Sequence, residues 1–272
     1  MSEVKSSVLH SPMTRRLFFS VLAPFLLSSQ PLLAAQPDTA VYELRVYTTN
    51  EGKLDTLLSR FRDHTCRLFE KHGITNVGYW TPITKEDGAE NTLIYVLKHA
   101  SEEAAKASFA AFRDDPEWQA ARKASEENGK ILVRAPESIF LTATEYSPLI
   151  QVEKPQEPRV FELRTYRTNP GKLPALHQRF QNHTMRLFSK HGMNHLAYWV
   201  PTTTQKDADS TLIYILAHKS HEAGLASFTS FRADPEWIAA KSASEKEGSL
   251  TLPQPNGVKS IYMRATDFSP MH

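Results

Sequence analysis

Val41-Tyr42-Glu43-Leu44-Arg45-Val46-Tyr47 decides the fold, because it alternates and because it returns. Tyr42, Leu44 and Val46 fall on one face and Glu43, Arg45 and Tyr47 on the other. That is the period-two pattern of a strand with unlike sides. The stretch comes back as Val160-Phe161-Glu162-Leu163-Arg164-Thr165-Tyr166, about 119 residues later, the separation of Glu43 from Glu162. The repetition continues downstream. His64-Thr65 returns as His183-Thr184, Lys71-His72-Gly73 as Lys190-His191-Gly192, and Tyr79-Trp80 as Tyr198-Trp199. Asp115-Pro116-Glu117-Trp118 returns as Asp234-Pro235-Glu236-Trp237. The period is far longer than that of solenoid or propeller repeats, and each copy is long enough for a core of its own.

Within one copy the period changes after Asn50-Glu51-Gly52. Leu54, Leu57, Leu58, Phe61, Leu68 and Phe69 form the stripe of an amphipathic helix, ended by Gly73. Val77 to Trp80 predicts a strand stopped at Pro82, and Thr92 to Lys98 another, with a polar hairpin loop between them. Ser101 is placed to cap a second helix carrying Ala105, Phe109 and Phe112. Asp115-Pro116 opens a third, closed by Gly129. Ile139 to Thr144 supplies the last strand, matched by Ile261 to Ala265 in the second copy. The order β-α-β-β-α-α-β is a split βαβ, or ferredoxin-like, arrangement in the α+β class. Helices on one face leave the other face of each sheet to be covered, and two sheets on one chain can cover each other. The domain plan is residues 40–147 and 159–270, joined by a proline-containing linker, 148–158.

Residues 1–35 lie outside the repeat. Arg15-Arg16 precedes an apolar run from Leu17 to Leu27, and Leu33-Ala34-Ala35 offers a small-residue cleavage site. This reads as a twin-arginine-like signal peptide and predicts export to a bacterial periplasm. A mitochondrial transit peptide is the alternative. The run is shorter than the ~20 residues of a spanning helix, so no stable membrane anchor is expected. The formal net charge of +2 falls near zero without this segment, and no basic stripe points to nucleic acid. Cys66 is the only cysteine and is Met185 in the second copy, which makes it an apolar filler and rules out an intramolecular disulfide.

Val41 to Tyr47, Gly78-Tyr79-Trp80-Thr81 and Ser108 to Trp118 closely resemble the NIPSNAP domain, as do Phe161 to Tyr166, Ala197-Tyr198-Trp199 and Ser227 to Trp237. The resemblance spans nearly all of the repeated region. It implies two domains pairing into a pseudo-dimeric α+β barrel. It implies no reaction. Animal members of the family are associated with mitochondria and protein interactions, and families sharing the barrel include haem-degrading and quinone-forming monooxygenases.

Three functional readings follow. In the first, the barrel holds a small, partly aromatic ligand: Arg45, Tyr47, Arg164 and Tyr166 supply polar contacts, and Trp80 and Trp199 stack on it. The competing account of the Glu–Arg–Tyr face is an internal ion pair that neutralises itself. In the second, an oxygenase-type enzyme uses His64 or His183 as acid–base group. His64 and His72 are eight residues apart, roughly 12 Å along a helix, too far to share a metal, and no metal-site motif is present. No motif indicates a cofactor, although a non-covalent haem with a histidine ligand needs none. His72 sits where a helix end favours it, and His99 and His218 follow strands. In the third reading the chain is a protein-interaction scaffold. Domain pairing within the chain is expected, and a homo-oligomer stays open.

Overall fold

Each strand of the repeated unit carries one apolar face, and the architecture follows from how those faces are hidden. The computed structural model describes residues 39–150 and 159–272, besides Glu3; the signal-peptide expectation and most of the linker lie outside the described residues. The first module runs β1 (Val41–Thr48), α1 (Leu54–Arg60), α2 (Cys66–Lys71), β2 (Thr75–Pro82), β3 (Thr92–His99), α3 (Glu102–Asp114), α4 (Pro116–Ser125) and β4 (Glu137–Ala143). The second runs β5 (Val160–Arg167), α5 (Leu173–Arg179), α6 (Met185–Lys190), β6 (Asn194–Pro201), β7 (Thr211–His218), α7 (His221–Ala233), α8 (Pro235–Ser244) and β8 (Val258–Ala265).

The strands close into one antiparallel barrel in the order β1-β3-β2-β8-β5-β7-β6-β4. Within a module the ladders are long: β1 pairs with β3 from Val41 opposite His99 to Thr48 opposite Thr92. Between modules they are short. Trp80, Thr81 and Pro82 pair with Ala265, Arg264 and Met263, and Leu141, Thr142 and Ala143 with Pro201, Val200 and Trp199. These two seams remove every free edge of both sheets. Each module's tail then crosses onto the other module. Thr266 N–H donates to Tyr79 O and Tyr79 N–H to Ser269 Oγ, at 2.9 and 3.0 Å. Thr144 N–H and Tyr198 N–H repeat the bonds with Tyr198 O and Ser147 Oγ, at 2.9 and 3.0 Å.

The barrel interior is a core. Tyr42, Leu44, Trp80, Ile94, Val96 and Leu141 meet Phe161, Leu163, Trp199, Ile213, Ile215 and Met263, all buried. The rings cross the module boundary: Tyr42 lies 5.6 Å from Trp199, and Trp80 5.5 Å from Phe161. A second layer lies between each sheet and its helices, where Leu57, Phe61, Leu68 and Phe69 pack on Tyr79, Leu93 and Tyr95.

Local signals act as the sequence predicts at the caps. Ser101 Oγ accepts from Ala104 N–H at 3.1 Å, and Asp115 Oδ1 from Glu117 N–H at 2.8 Å, with Pro116 in the first turn. Gly73 closes the first helix at φ +75°. Two boundaries differ. The third helix stops at Ser125, and Gly129 at φ +103° closes the turn beyond it. The last strand of the second module starts at Val258, because it pairs along β5 from Tyr166 onward. The first helix also has an internal feature the periodicity does not show: Phe61–Thr65 forms a π turn, repeated at Phe180–Thr184. In it Thr65 Oγ donates to Arg60 O at 3.1 Å, and Thr184 Oγ to Arg179 O at 3.2 Å. Such wide turns inside helices occur often at functional sites.

One position tests the packing of the interior. A Cβ at Gly78 would lie 2.3 Å from Trp80 Cη2, whereas the second module carries Ala197 there. Gly78→Ala is expected to destabilise the protein by about 1–3 kcal/mol through overpacking, despite the alanine in the other copy. A urea unfolding midpoint equal to that of the wild type would contradict this account of the barrel core.

Candidate functional site: two arginine-lined cavities

The Glu–Arg–Tyr face of β1 and β5 does not line the barrel; it lies beneath the helices. This corrects the expected position of Arg45, Tyr47, Arg164 and Tyr166. The apolar face of the same strands takes the interior because closure buries it completely. Trp80 and Trp199 sit in that interior and are 1% and 2% exposed, so they face no cavity.

The space is elsewhere. A cavity of about 420 Å³ opens between sheet and helices in the first module, and one of about 460 Å³ in the second. Arg45 and Tyr47 line the first, joined by Arg60, Phe109, Phe112 and Trp118. Arg164 and Tyr166 line the second with Arg179, Phe228, Phe231 and Trp237. The geometry thus unites Arg45 with Tyr47, and Arg164 with Tyr166, and separates both pairs from the barrel tryptophans.

Arg60 and Arg179 escaped the sequence reading. They close α1 and α5 just before the π turn, and each is only 5% exposed. The available signal was a basic residue on an apolar helix stripe, present in both copies. Arg60 Nη1 donates to Ser125 Oγ at 3.1 Å and reaches Glu126 at 3.4 Å. Arg179 does the same with Ser244 and Glu245, at 3.2 and 2.8 Å. Their guanidinium carbons lie 5.2 and 5.1 Å from the ring centres of Trp118 and Trp237, within cation–π range. The β-strand arginines are held similarly, Arg45 at 4.7 Å from Phe109 and Arg164 at 4.2 Å from Phe228. Nε of all four arginines is buried without a hydrogen-bond partner among the described residues. An unsatisfied buried donor is costly, and more so when charged.

Beneath each cavity a carboxylate anchors the strand arginine. Glu43 accepts from Arg45 Nη1 at 2.5 Å and from Ser138 Oγ, and it meets His99 Nε2 at 3.1 Å. Glu162 accepts from Arg164 at 2.5 Å and from Ser260 Oγ at 2.5 Å, and it meets His218 Nε2 at 2.9 Å. The self-neutralising ion pair is thus present, built as a four-residue network that includes His99 and His218. Burial pushes both glutamate pKa values up, but the histidine bonds, the arginine charges and the serine hydroxyls together hold them below 4.5. Burial works against the Arg45 and Arg164 charges, and the neighbouring tyrosines and glutamates outweigh it, so both pKa values rise. Burial lowers the pKa of Arg60 despite Glu126, although arginine stays protonated throughout the physiological range.

The histidine expectations need correction. His64 is half-buried and His183 exposed on the π turns, and neither lines a cavity. His72 and His191 bind the helix-capping Asp115 and Asp234 at 2.7 and 2.8 Å and brace the helix layer. Among the described residues no histidine lines either main cavity, so the imidazole ligand on which a haem reading rested is not offered there. Among the described residues no group of three or more His, Cys, Asp or Glu is placed to hold a metal ion, and no helix is long and apolar enough to cross a membrane. Cys66 is half-buried, and burial pushes its thiol up to about 12, which fits a packing role.

The profile of the NIPSNAP family matches residues 42–148 and 161–270, the two modules that carry the two cavities. The chain belongs to the NIPSNAP family. It is 30% identical to human protein NipSnap homolog 3A over 169 residues, 62% of this chain and 64% of that protein. It is 27% identical to a Dictyostelium discoideum NipSnap homolog over 137 residues, 50% of this chain and 52% of that one. The match thus spans less than two thirds of either relative. Among solved structures, a candidate monooxygenase from Fusobacterium nucleatum superposes with a TM-score of 0.53 at 11% identity, covering 84% of this chain and 92% of its own. An anthrone oxidase-like protein superposes at 0.52 with the same identity and coverage. These likenesses concern the α+β barrel fold.

The glutamate networks predict how the NIPSNAP pair responds to acid. A carboxylate whose folded pKa is depressed stabilises the protein above its unfolded value, near 4.5, and that contribution is lost as pH falls through the folded value. Glu43→Gln with Glu162→Gln should therefore lower the urea midpoint at neutral pH and flatten its decline below about pH 4.5. Parallel declines for variant and wild type would place the acid sensitivity in other groups.

Proposed function

We propose that this NIPSNAP protein binds small anionic ligands with an aromatic or apolar body, one in each domain. The observation that carries this reading is the buried arginine, Arg60 or Arg179, that lines a cavity walled by aromatic rings beside a second arginine from the sheet. Arg45 and Arg164 add a second guanidinium, and Phe109, Phe112 and Trp118, with their counterparts, receive the apolar body. A carboxylate entering either cavity meets two guanidinium groups on its wall, Arg45 and Arg60 or Arg164 and Arg179. Each cavity is of the size that encloses a small molecule.

The oxygenase reading draws support only from a fold likeness at low identity, and its histidine candidates stand outside the cavities. The scaffold reading accounts for the ion pairs of the buried arginines but not for the cavities they line. Export remains part of the proposal, because residues 1–35 combine paired arginines, a short apolar run and a small-residue end. Periplasmic fractionation of the full chain tests that element by itself.

Binding is tested by calorimetric titration with 2-naphthoate as probe. The expected stoichiometry is two. Arg60→Met together with Arg179→Met should weaken binding about 10- to 100-fold, the loss expected for one charge-assisted hydrogen bond worth about 1.5–3 kcal/mol. The melting temperature of the ligand-free variant separates this from a purely structural role. Unchanged affinity, or a haem or flavin band in the spectrum of the native protein, would count against the reading.

A further inference from the structure

The two cavities share their inner walls but not their mouths. Arg45, Arg60 and Arg113 in the first correspond to Arg164, Arg179 and Arg232 in the second. Beyond this set, Arg122, Lys130 and Arg134 also line the first cavity, making six basic side chains against the single acid Glu126. The second cavity adds only Lys241, giving four basic side chains against Glu245. The register of the repeat shows where the charge was lost. Lys130-Ile131-Leu132-Val133-Arg134 stands opposite Ser249-Leu250-Thr251-Leu252-Pro253, and the bridges Thr49 to Leu132 and Thr168 to Thr251 fix that alignment in space.

A second difference lies on α3. An adjoining hollow of about 210 Å³ shares Arg45, Phe109 and Arg113 with the first cavity and is lined besides by Lys106, Phe140 and the Arg45-paired Glu43. The equivalent position on α7 is Leu225, 50% exposed. Three basic side chains of the first site, Lys106, Lys130 and Arg134, thus have uncharged counterparts in the second. Arg134 is ion-paired with Glu137 at 2.5 Å, while the second mouth presents Thr251, Gln254 and Val258.

We propose that the two cavities divide ligands by charge. The first takes a dianionic headgroup on an aromatic body, such as a phosphate monoester, and the second takes a monoanion. The division rests on the two-site reading above and adds the ligand class of each site. Both sites hold one negative group on the paired inner arginines. A second negative group meets Lys130 and Arg134 at the first mouth, with Lys106 in the adjoining hollow. At the second mouth it would lose water against Val258 and Thr251 with only Arg232 and Lys241 nearby to replace it. Specificity then arises from stronger attraction at one site and less fully compensated desolvation at the other.

The test uses the full chain and two probes with one body, 2-naphthyl phosphate and 2-naphthoate, at about pH 8, where the phosphate monoester is dianionic. Arg179→Met leaves the first site alone, and Arg60→Met leaves the second. With the first site alone, the phosphate should bind at least about tenfold tighter than the carboxylate; with the second alone, the preference should vanish or invert. Adding Lys106→Leu, Lys130→Ser and Arg134→Gln to the first-site chain should cut the phosphate-to-carboxylate ratio about tenfold. These three side chains are exposed, so the fold is expected to tolerate their loss. Equal ratios in the two single-site chains, or a ratio untouched by the triple change, would overturn the division while leaving two-site binding intact. Binding of neither probe to the wild-type chain would overturn both.

Discussion

The structure depends on the closure of two four-stranded sheets through two seams of three residue pairs each. Every strand in the barrel then has two covered sides, and the uncharged side of β1 and β5, with Tyr42 and Leu44 or Phe161 and Leu163, goes inward. Val41 to Tyr47 shows the consequence. Tyr42 and Leu44 meet Trp199 and its neighbours across the axis, so Glu43, Arg45 and Tyr47 must lie beneath the helices. Those polar side chains can be tolerated there because Ser138 and His99 complete the bonding of Glu43 and Phe109 covers Arg45. The layer between sheet and helices is thus where the fold admits charge, and there the cavities open.

Charge in that layer needs a reason. Burying a guanidinium costs several kcal/mol unless its partners are complete, and here the partners are incomplete at Nε of four arginines. A purely mechanical Arg–Glu pair would account for Arg45 and Arg164. It accounts less well for Arg60, whose carboxylate partner is 3.4 Å away and partly in solvent. The π turn that follows Arg60 keeps Thr65 in the cavity wall and uses its hydroxyl to satisfy the carbonyl of Arg60. Helix, turn and strand together hold two cations beside the aromatic rings of one cavity, in both halves of the molecule.

Duplication lets the two halves act as controls for each other. Asn76 accepts a hydrogen bond from the Tyr79 hydroxyl, and in the second module His195 Nδ1 takes the same place against Tyr198 at 2.6 Å. Burial holds the His195 pKa below its ordinary value, which keeps the ring neutral and able to accept. The residue changes while its bonding role stays. The mouths of the cavities behave differently, since Lys106, Lys130 and Arg134 are replaced by residues that cannot carry their charge. A difference that preserves a bond maintains the fold, whereas a difference that removes charge from a cavity changes what the cavity attracts.

Sequence alone determined the elements, their order and the groups of residues that share a face. Period two and period 3.6 are local properties of the backbone, and caps such as Ser101 and Asp115 are set by neighbouring amides. The tandem NIPSNAP pattern was legible for the same reason, as Glu43, Arg45 and Tyr47 recur with their spacing intact. What only the tertiary structure decided was which face turns inward. Alternation says that Arg45 and Tyr47 lie together and opposite Leu44; it does not say which layer meets them. That choice was made by barrel closure, which placed Trp80 and Trp199 in the core and the arginines under the helices. Arg60 reaches the same cavity from a helix in another layer, and only packing brings residues so placed into one site.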